Sequence, residues 1–149
     1  MQQLTPWELI EWIKVNIKDP IPMDDKSRMH ELLDVLSSDE VSISFKDFAL
    51  KGLGMMAVKY SADFIILCGA LPLIKSQLLS DNPILISQCI RTLTLIADNG
   101  GEKDVMNEKV HMMVRSIASN KDTPQHIKNQ GLKLYYRMLD VPLEHGFQP

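Results

Sequence analysis

Hydrophobic positions along the chain recur at spacings of three and four residues, which is the period of an amphipathic α-helix. Together with start and stop signals, this pattern predicts helices over residues 5–17, 24–36, 44–59, 62–68, 72–80, 83–98, 102–119 and 123–139. A capping residue or a proline marks the starts at Thr5-Pro6, Pro83 and Thr123-Pro124. No β-type alternation of useful length occurs, and the breaks are short. The predicted fold class is therefore all-α.

Three of these predicted helices repeat one order of bulky and small residues. The equivalent positions are Phe45, Ala49, Gly52, Leu53 and Met56 in the first helix, Leu85, Cys89, Thr92, Leu93 and Ile96 in the second, and Ile127, Gly131, Leu134, Tyr135 and Met138 in the third. Ala49 precedes Cys89 by 40 residues, and Cys89 precedes Gly131 by 42. A period of this length is typical of armadillo and HEAT arrays.

One segment resembles an armadillo repeat more closely than the rest. It is the stretch Phe64-Ile65-Ile66-Leu67-Cys68-Gly69-Ala70-Leu71-Pro72-Leu73-Ile74, followed by Leu78-Leu79 and Asn82-Pro83. The HEAT repeat is the near neighbour of this pattern. The resemblance implies a right-handed armadillo-like α-solenoid of about three repeats, at residues 24–60, 61–101 and 102–140. These would form a single domain over residues 1–141, with a flexible tail at 142–149.

Armadillo proteins, which the chain resembles, stack their third helices along a concave groove and bind extended partner chains there. In that family an Asn on each third helix often holds the partner's backbone, and a Trp one turn earlier forms a side-chain pocket. The present sequence departs from this pattern. Met55, Leu95 and Arg137 stand at the Asn positions, and Lys51, Arg91 and Lys133 stand at the Trp positions.

Lys51, Arg91 and Lys133 are here called the basic column, with one cation in each predicted repeat. Each cation lies four residues before the residue at the Asn position of its own helix. The two residues therefore lie on the same face of that helix. The column, bordered by Met55, Thr94, Leu95 and Tyr136, could pair with carboxylates or phosphates along an extended partner. Arg137 is a further candidate residue of this partner-binding surface. The alternative interpretation is that these cations only keep an exposed surface soluble.

These observations support three functional hypotheses of different kinds. The first is a non-catalytic protein-binding module or scaffold that holds an acidic, partly apolar segment of a protein or peptide partner. The second is a nucleic-acid-binding helical repeat that uses the basic column, although 16 basic and 19 acidic residues give a net charge of −3. The third is a structural or oligomerisation domain, for example a homodimer formed through an uncapped solenoid end.

The predicted N-terminal helix, residues 5–17, carries apolar residues on more than one face. A cap over the open end of the helical stack is the first interpretation, since terminal repeats must cover an otherwise exposed core. The alternative is that Trp7 or Trp12 faces outward as an anchor for a partner, because Trp is enriched at interface hot spots.

No constellation in the sequence indicates catalysis, a cofactor or a metal. The histidines do not pair on one helix face, and neither Cys68 nor Cys89 has a neighbouring ligand. We therefore expect no enzyme activity, no cofactor and no metal site. The chain has no acceptor site for N-glycosylation and no membrane-spanning or leader-like stretch, which favours a cytoplasmic or nuclear protein with two free thiols.

Overall fold

The computed structural model describes residues 23–139, and their side chains from Lys26 onward. The helices are α1 (Met23–Ser37), α2 (Ile43–Tyr60), α3 (Ala62–Leu67), α4 (Ala70–Gln77), α5 (Pro83–Ile96), α6 (Glu102–Asn107), α7 (Val110–Ser119) and α8 (Gln125–Leu139). No strand occurs within residues 23–139, so the predicted all-α class is confirmed there. The predicted helix at 5–17, with Trp7 and Trp12, and the predicted tail at 142–149 lie outside the described residues.

Most helix ends follow the signals in the sequence. The Asn82 side chain accepts hydrogen bonds from the backbone N–H groups of Ile84 and Leu85, at 2.9 and 3.3 Å, with Pro83 in the first turn. Helix α4 begins at Ala70, two residues before the predicted start at Pro72. Pro72 is tolerated there because the N–H groups of a helix's first turn have no partner within the helix.

The prediction of one continuous helix over 102–119 is wrong. Helices α6 and α7 are separate, and between them Lys109 adopts a left-handed backbone conformation with φ of 59°. Val105, Val110 and Val114 are all fully buried, so the apolar period continues through the break. Hydrophobic spacing alone could not reveal a turn that contains neither glycine nor proline.

The end of α5 is also more complex than the predicted helix over 83–98. The α-helix ends at Ile96, and residues Ala97–Gly101 form a kinked connection before α6 begins. Within this connection Asn99 and Gly100 leave helical geometry, and Gly100 has a φ of 102°. The stop signal in the sequence therefore acts at the expected place, since glycine adopts positive φ without strain.

Contacts between helices arrange α2, α5 and α8 in a row, with α2 packed against α5 and α5 against α8. Helices α1, α4 and α7 pack against α2, α5 and α8 respectively. One cluster of buried apolar side chains joins the two sets. It includes most of the residues at equivalent positions in the sequence repeat, namely Ala49, Leu53, Met56, Leu85, Cys89, Leu93, Ile96, Ile127, Leu134 and Met138.

Phe45 is an exception to this burial. Its equivalents Leu85 and Ile127 are 1% and 0% exposed, whereas Phe45 is 63% exposed. Helix α2 is the first helix of the row, and no helix of residues 23–139 precedes it there. The apolar residue at this repeat position therefore lacks the covering that an inner helix of the row receives.

The contact between α2 and α5 depends on close approach and on one hydrogen bond. A Cβ atom on Gly54 would lie 2.9 Å from Cδ1 of Leu95, so glycine permits the helices to come together. The hydroxyl of Thr92 donates to the backbone carbonyl of Leu50 at 2.8 Å, and both residues are fully buried.

We expect Thr92→Val to lower the free energy of unfolding by about 1–2 kcal/mol, because it removes this buried hydrogen bond and the acceptor of the Gln88 amide. Thr94→Val is the matched control. Its hydroxyl donates at 2.7 Å to Ile90 of the same helix and joins no second helix. Urea unfolding followed by far-ultraviolet circular dichroism measures both variants. Equal losses of unfolding free energy in the two variants would show that the hydrogen bond between α2 and α5 contributes no more than one within α5.

Candidate functional site

The side of the row opposite the core is here called the outer face. The contacts of helix α5 show where it lies. On α5, Leu93 is buried in the core, Thr92 contacts α2, and Ser87 donates a hydrogen bond of 2.8 Å to the Gln130 side chain of α8. Arg91 lies on the remaining side of the helix, since successive residues are turned by about 100°. It is exposed. The outer face is therefore the accessible surface of α5.

The other two members of the basic column occupy the equivalent place on the neighbouring helices. Each cation stands two residues after a buried position of the repeat. Lys51 follows Ala49, Arg91 follows Cys89, and Lys133 follows Gly131. Lys51 and Lys133 are exposed, as Arg91 is. Packed helices are about 8–10 Å apart, so cations in a row have a spacing on the order of 10 Å.

The three cations differ in their electrostatic surroundings. The Nζ atom of Lys51 lies 3.1 Å from a carboxylate oxygen of Asp47, one turn earlier on α2. Within the described part of the chain, Arg91 and Lys133 have no ion pair with a carboxylate. Arg91 and Lys133 therefore carry the uncompensated positive charge of the column.

Arg137 was predicted to lie in the same binding surface, and the structure places it in an ion-pair network. Its guanidinium lies 2.8 Å from a carboxylate oxygen of Asp98 and 3.5 Å from one of Glu102. These contacts join α8 to the connection after α5 and to the first residue of α6. Arg137 is half-buried, and its charge is directed to the protein's own carboxylates.

The remaining predicted residues divide into two groups. Met55 and Tyr136 are 70% and 62% exposed, so their apolar surfaces are accessible. Leu95 is half-buried, with its Cδ1 atom against Gly54 in the α2–α5 contact. Thr94 is also half-buried, and its hydroxyl is used within α5. Met55 and Tyr136 thus offer more to a partner than Leu95 and Thr94 do.

Sequence reasoning missed the carboxylates that pair with two cations of the predicted binding surface, Lys51 and Arg137. The pairing of Asp47 with Lys51 could have been inferred, because residues four apart on a helix are neighbours. The pairing of Asp98 and Glu102 with Arg137 joins residues far apart in the chain, so no local spacing indicates it. As a result, the outer face has a mixed charge rather than a uniformly positive one.

The two cysteines, Cys68 and Cys89, are free thiols. Cys89 is fully buried, and burial, with a smaller contribution from the Asp47 charge, raises the pKa of its thiol to about 12. Burial also raises the pKa of the half-buried Cys68 thiol. Both thiols are therefore protonated, and so poor nucleophiles, near neutral pH.

Within residues 23–139, no group of three or more histidine, cysteine or acidic side chains could hold a metal ion. None of the helices described there combines the length and the apolar character needed to cross a bilayer. In comparisons with protein-family models, curated proteins and solved structures, nothing matches the chain. Residues 23–139 form an all-helical structure with an exposed basic column.

We expect both thiols to react slowly with iodoacetamide in the folded protein at about pH 8, because the thiolate is the reactive form. Addition of denaturant should raise both rates to that of a simple thiol. Mass spectrometry of Cys68→Ser and Cys89→Ser variants assigns the rate of the remaining thiol. Rapid labelling of either thiol without denaturant would contradict the raised pKa.

Proposed function

We propose that the protein is a non-catalytic protein-binding module, in which an acidic, partly apolar segment of a partner binds in extended form across the outer face. The observation that carries the proposal is the basic column itself. Three cations stand at equivalent positions on three helices whose opposite sides are buried, and all three are exposed. Arg91 and Lys133 are the principal binding residues, since their charges are not compensated.

The proposal includes an armadillo-like arrangement of the helices. The order of a short helix and two longer ones occurs as α3, α4 and α5 and again as α6, α7 and α8, while α1 and α2 correspond to the last two of such a set. Packing between α2, α5 and α8 supports the assignment of these three as the third helices of successive repeats. The outer face would then be the groove side of the solenoid.

The chemistry of the surface favours a carboxylate-bearing partner. An arginine guanidinium can bind a carboxylate through two parallel hydrogen bonds, which adds geometric specificity at Arg91. A column spacing on the order of 10 Å corresponds to about three residues of extended chain. Met55 and Tyr136 would accept apolar side chains of the same segment, since both offer accessible surface at the edges of the column.

A protein partner is favoured over nucleic acid by the carboxylates of this surface. Asp47 compensates Lys51, and Asp98 and Glu102 compensate Arg137. A continuous phosphate backbone requires many uncompensated cations along its path, and affinity rises with the number of phosphates neutralised. The chain as a whole also carries a net charge of −3. A short acidic segment needs only the two uncompensated cations.

We expect the double substitution Arg91→Glu with Lys133→Glu to abolish partner binding, because both uncompensated cations become repulsive to carboxylates. The assay is an affinity pull-down from cell extract, with bound proteins identified by mass spectrometry. The matched control reverses two exposed lysines away from the column, Lys109→Glu with Lys121→Glu, and should keep the partners of the wild type. Partners retained by all three forms would refute binding at the column.

A salt titration with single-stranded RNA tests the nucleic-acid alternative. We expect no measurable fluorescence-anisotropy change near physiological salt, because this surface presents few uncompensated cations. Binding that weakens steeply with salt, and that is lost on reversing Arg91 and Lys133, would replace the protein-binding proposal with the nucleic-acid one. The same control variant, with Lys109 and Lys121 reversed, separates a local effect from one of net charge.

A further inference from the structure

Helix α2 carries an exposed apolar face on the side away from α5. Its members are Phe45 and Phe48, which are 63% and 61% exposed. They lie three residues apart and so form one stripe on the helix. Large apolar side chains arranged in this way on a helix are typical of a surface that another element covers. This stripe is here called the α2 edge.

The equivalent residues of α5 show what such an edge contacts. Phe45 and Phe48 correspond to Leu85 and Gln88, since each lies 40 residues earlier in the sequence. Leu85 and Gln88 are only 1% and 7% exposed, and Gln88 donates a hydrogen bond to Thr92, which contacts α2. The side of α5 that carries these residues therefore faces the preceding helix of the row. By the same geometry, the α2 edge faces the place of a helix that would precede α2.

The chain before α1 contains an apolar segment that lies about one repeat before α2 in the sequence. Residues 5–17 contain Trp7, Leu9, Ile10, Trp12, Ile13, Val15 and Ile17. Thr5-Pro6 repeats the type of start seen at Asn82-Pro83, and Thr5 precedes the α2 capping residue Ser42 by 37 residues. This step is close to the 40 residues from Ser42 to Asn82. The segment therefore falls about one repeat before α2.

The connection between this segment and α1 is long enough for the segment to reach the α2 edge. Only residues 18–22 separate it from α1, and α1 packs directly against α2. Five extended residues span roughly 17 Å, whereas packed helices lie about 8–10 Å apart. Residues 5–17 can thus reach the α2 edge within one molecule. An intramolecular occupant also has an effective concentration advantage over a separate partner.

We propose that residues 5–17 pack along the α2 edge, cover Phe45 and Phe48, and shield Trp7 and Trp12 from water. This inference is independent of the basic column and of what binds there. It assigns the two tryptophans to an internal contact rather than to a partner. The contact would continue the row of helices by one element on the side of α2 that has no described neighbour.

Intrinsic tryptophan fluorescence tests the proposal directly, because Trp7 and Trp12 are the only tryptophans of the chain. In the wild type we expect blue-shifted emission that acrylamide quenches poorly. Phe45→Glu with Phe48→Glu should shift the emission to the red and remove the protection from acrylamide. The matched control is Leu79→Glu with Met112→Glu, which alters two exposed apolar residues elsewhere, 76% and 60% exposed, and should leave the emission unchanged.

Far-ultraviolet circular dichroism must show that the described helices persist in both double variants. Trp7→Phe and Trp12→Phe, measured singly, assign the protection to each tryptophan. Tryptophans that are fully accessible in the isolated wild type would overturn the proposal and leave the α2 edge to another protein. Emission that shifts to the red on dilution, together with a dimer by light scattering, would overturn it in favour of a second copy of the chain.

Discussion

The close contact between α2 and α5 is the constraint on which the arrangement of the other helices depends. Gly54 lets Leu95 approach the α2 backbone. The Thr92 hydroxyl of α5 donates a hydrogen bond to the Leu50 carbonyl of α2, and both residues are fully buried. A polar group buried in this way is costly unless it is paired, so the hydrogen bond fixes one register of the two helices. That register turns Lys51 and Arg91 outward together. The alignment of the basic column follows from the packing of the core.

Much of the fold was predictable because local spacing encodes it. The apolar period of the three long helices indicates which side is buried, and residues such as Leu53, Leu93 and Leu134 are buried in the core. The turn at Lys109 was not predictable, because its left-handed conformation occurs in a residue that gives no turn signal. The exposure of Phe45 was missed for a different reason. Sequence periodicity treats all repeats as equal, whereas the first helix of a row has one neighbour fewer.

The candidate site was predictable in part for the same reasons. Equivalent positions in a repeat face the same way, so the exposure of Lys51, Arg91 and Lys133 follows from the burial of their neighbours. Charge compensation is different, because it depends on residues brought together by tertiary contacts. Arg137 has the spacing of a binding residue but the surroundings of a structural one, since Asp98 and Glu102 hold its guanidinium. Only the structure distinguishes a cation available to a partner from one that is already paired.

This difference bears on how a partner would be selected. At Lys51 and Arg137 an incoming carboxylate must compete with an internal one, and exposed ion pairs are worth little, about 0–1 kcal/mol each. At Arg91 and Lys133 it would meet no competing carboxylate of residues 23–139. The gain from a carboxylate is therefore concentrated on α5 and α8, while Met55 on α2 offers apolar contact. A segment that carries both acidic and apolar residues would match this surface better than a uniformly acidic one.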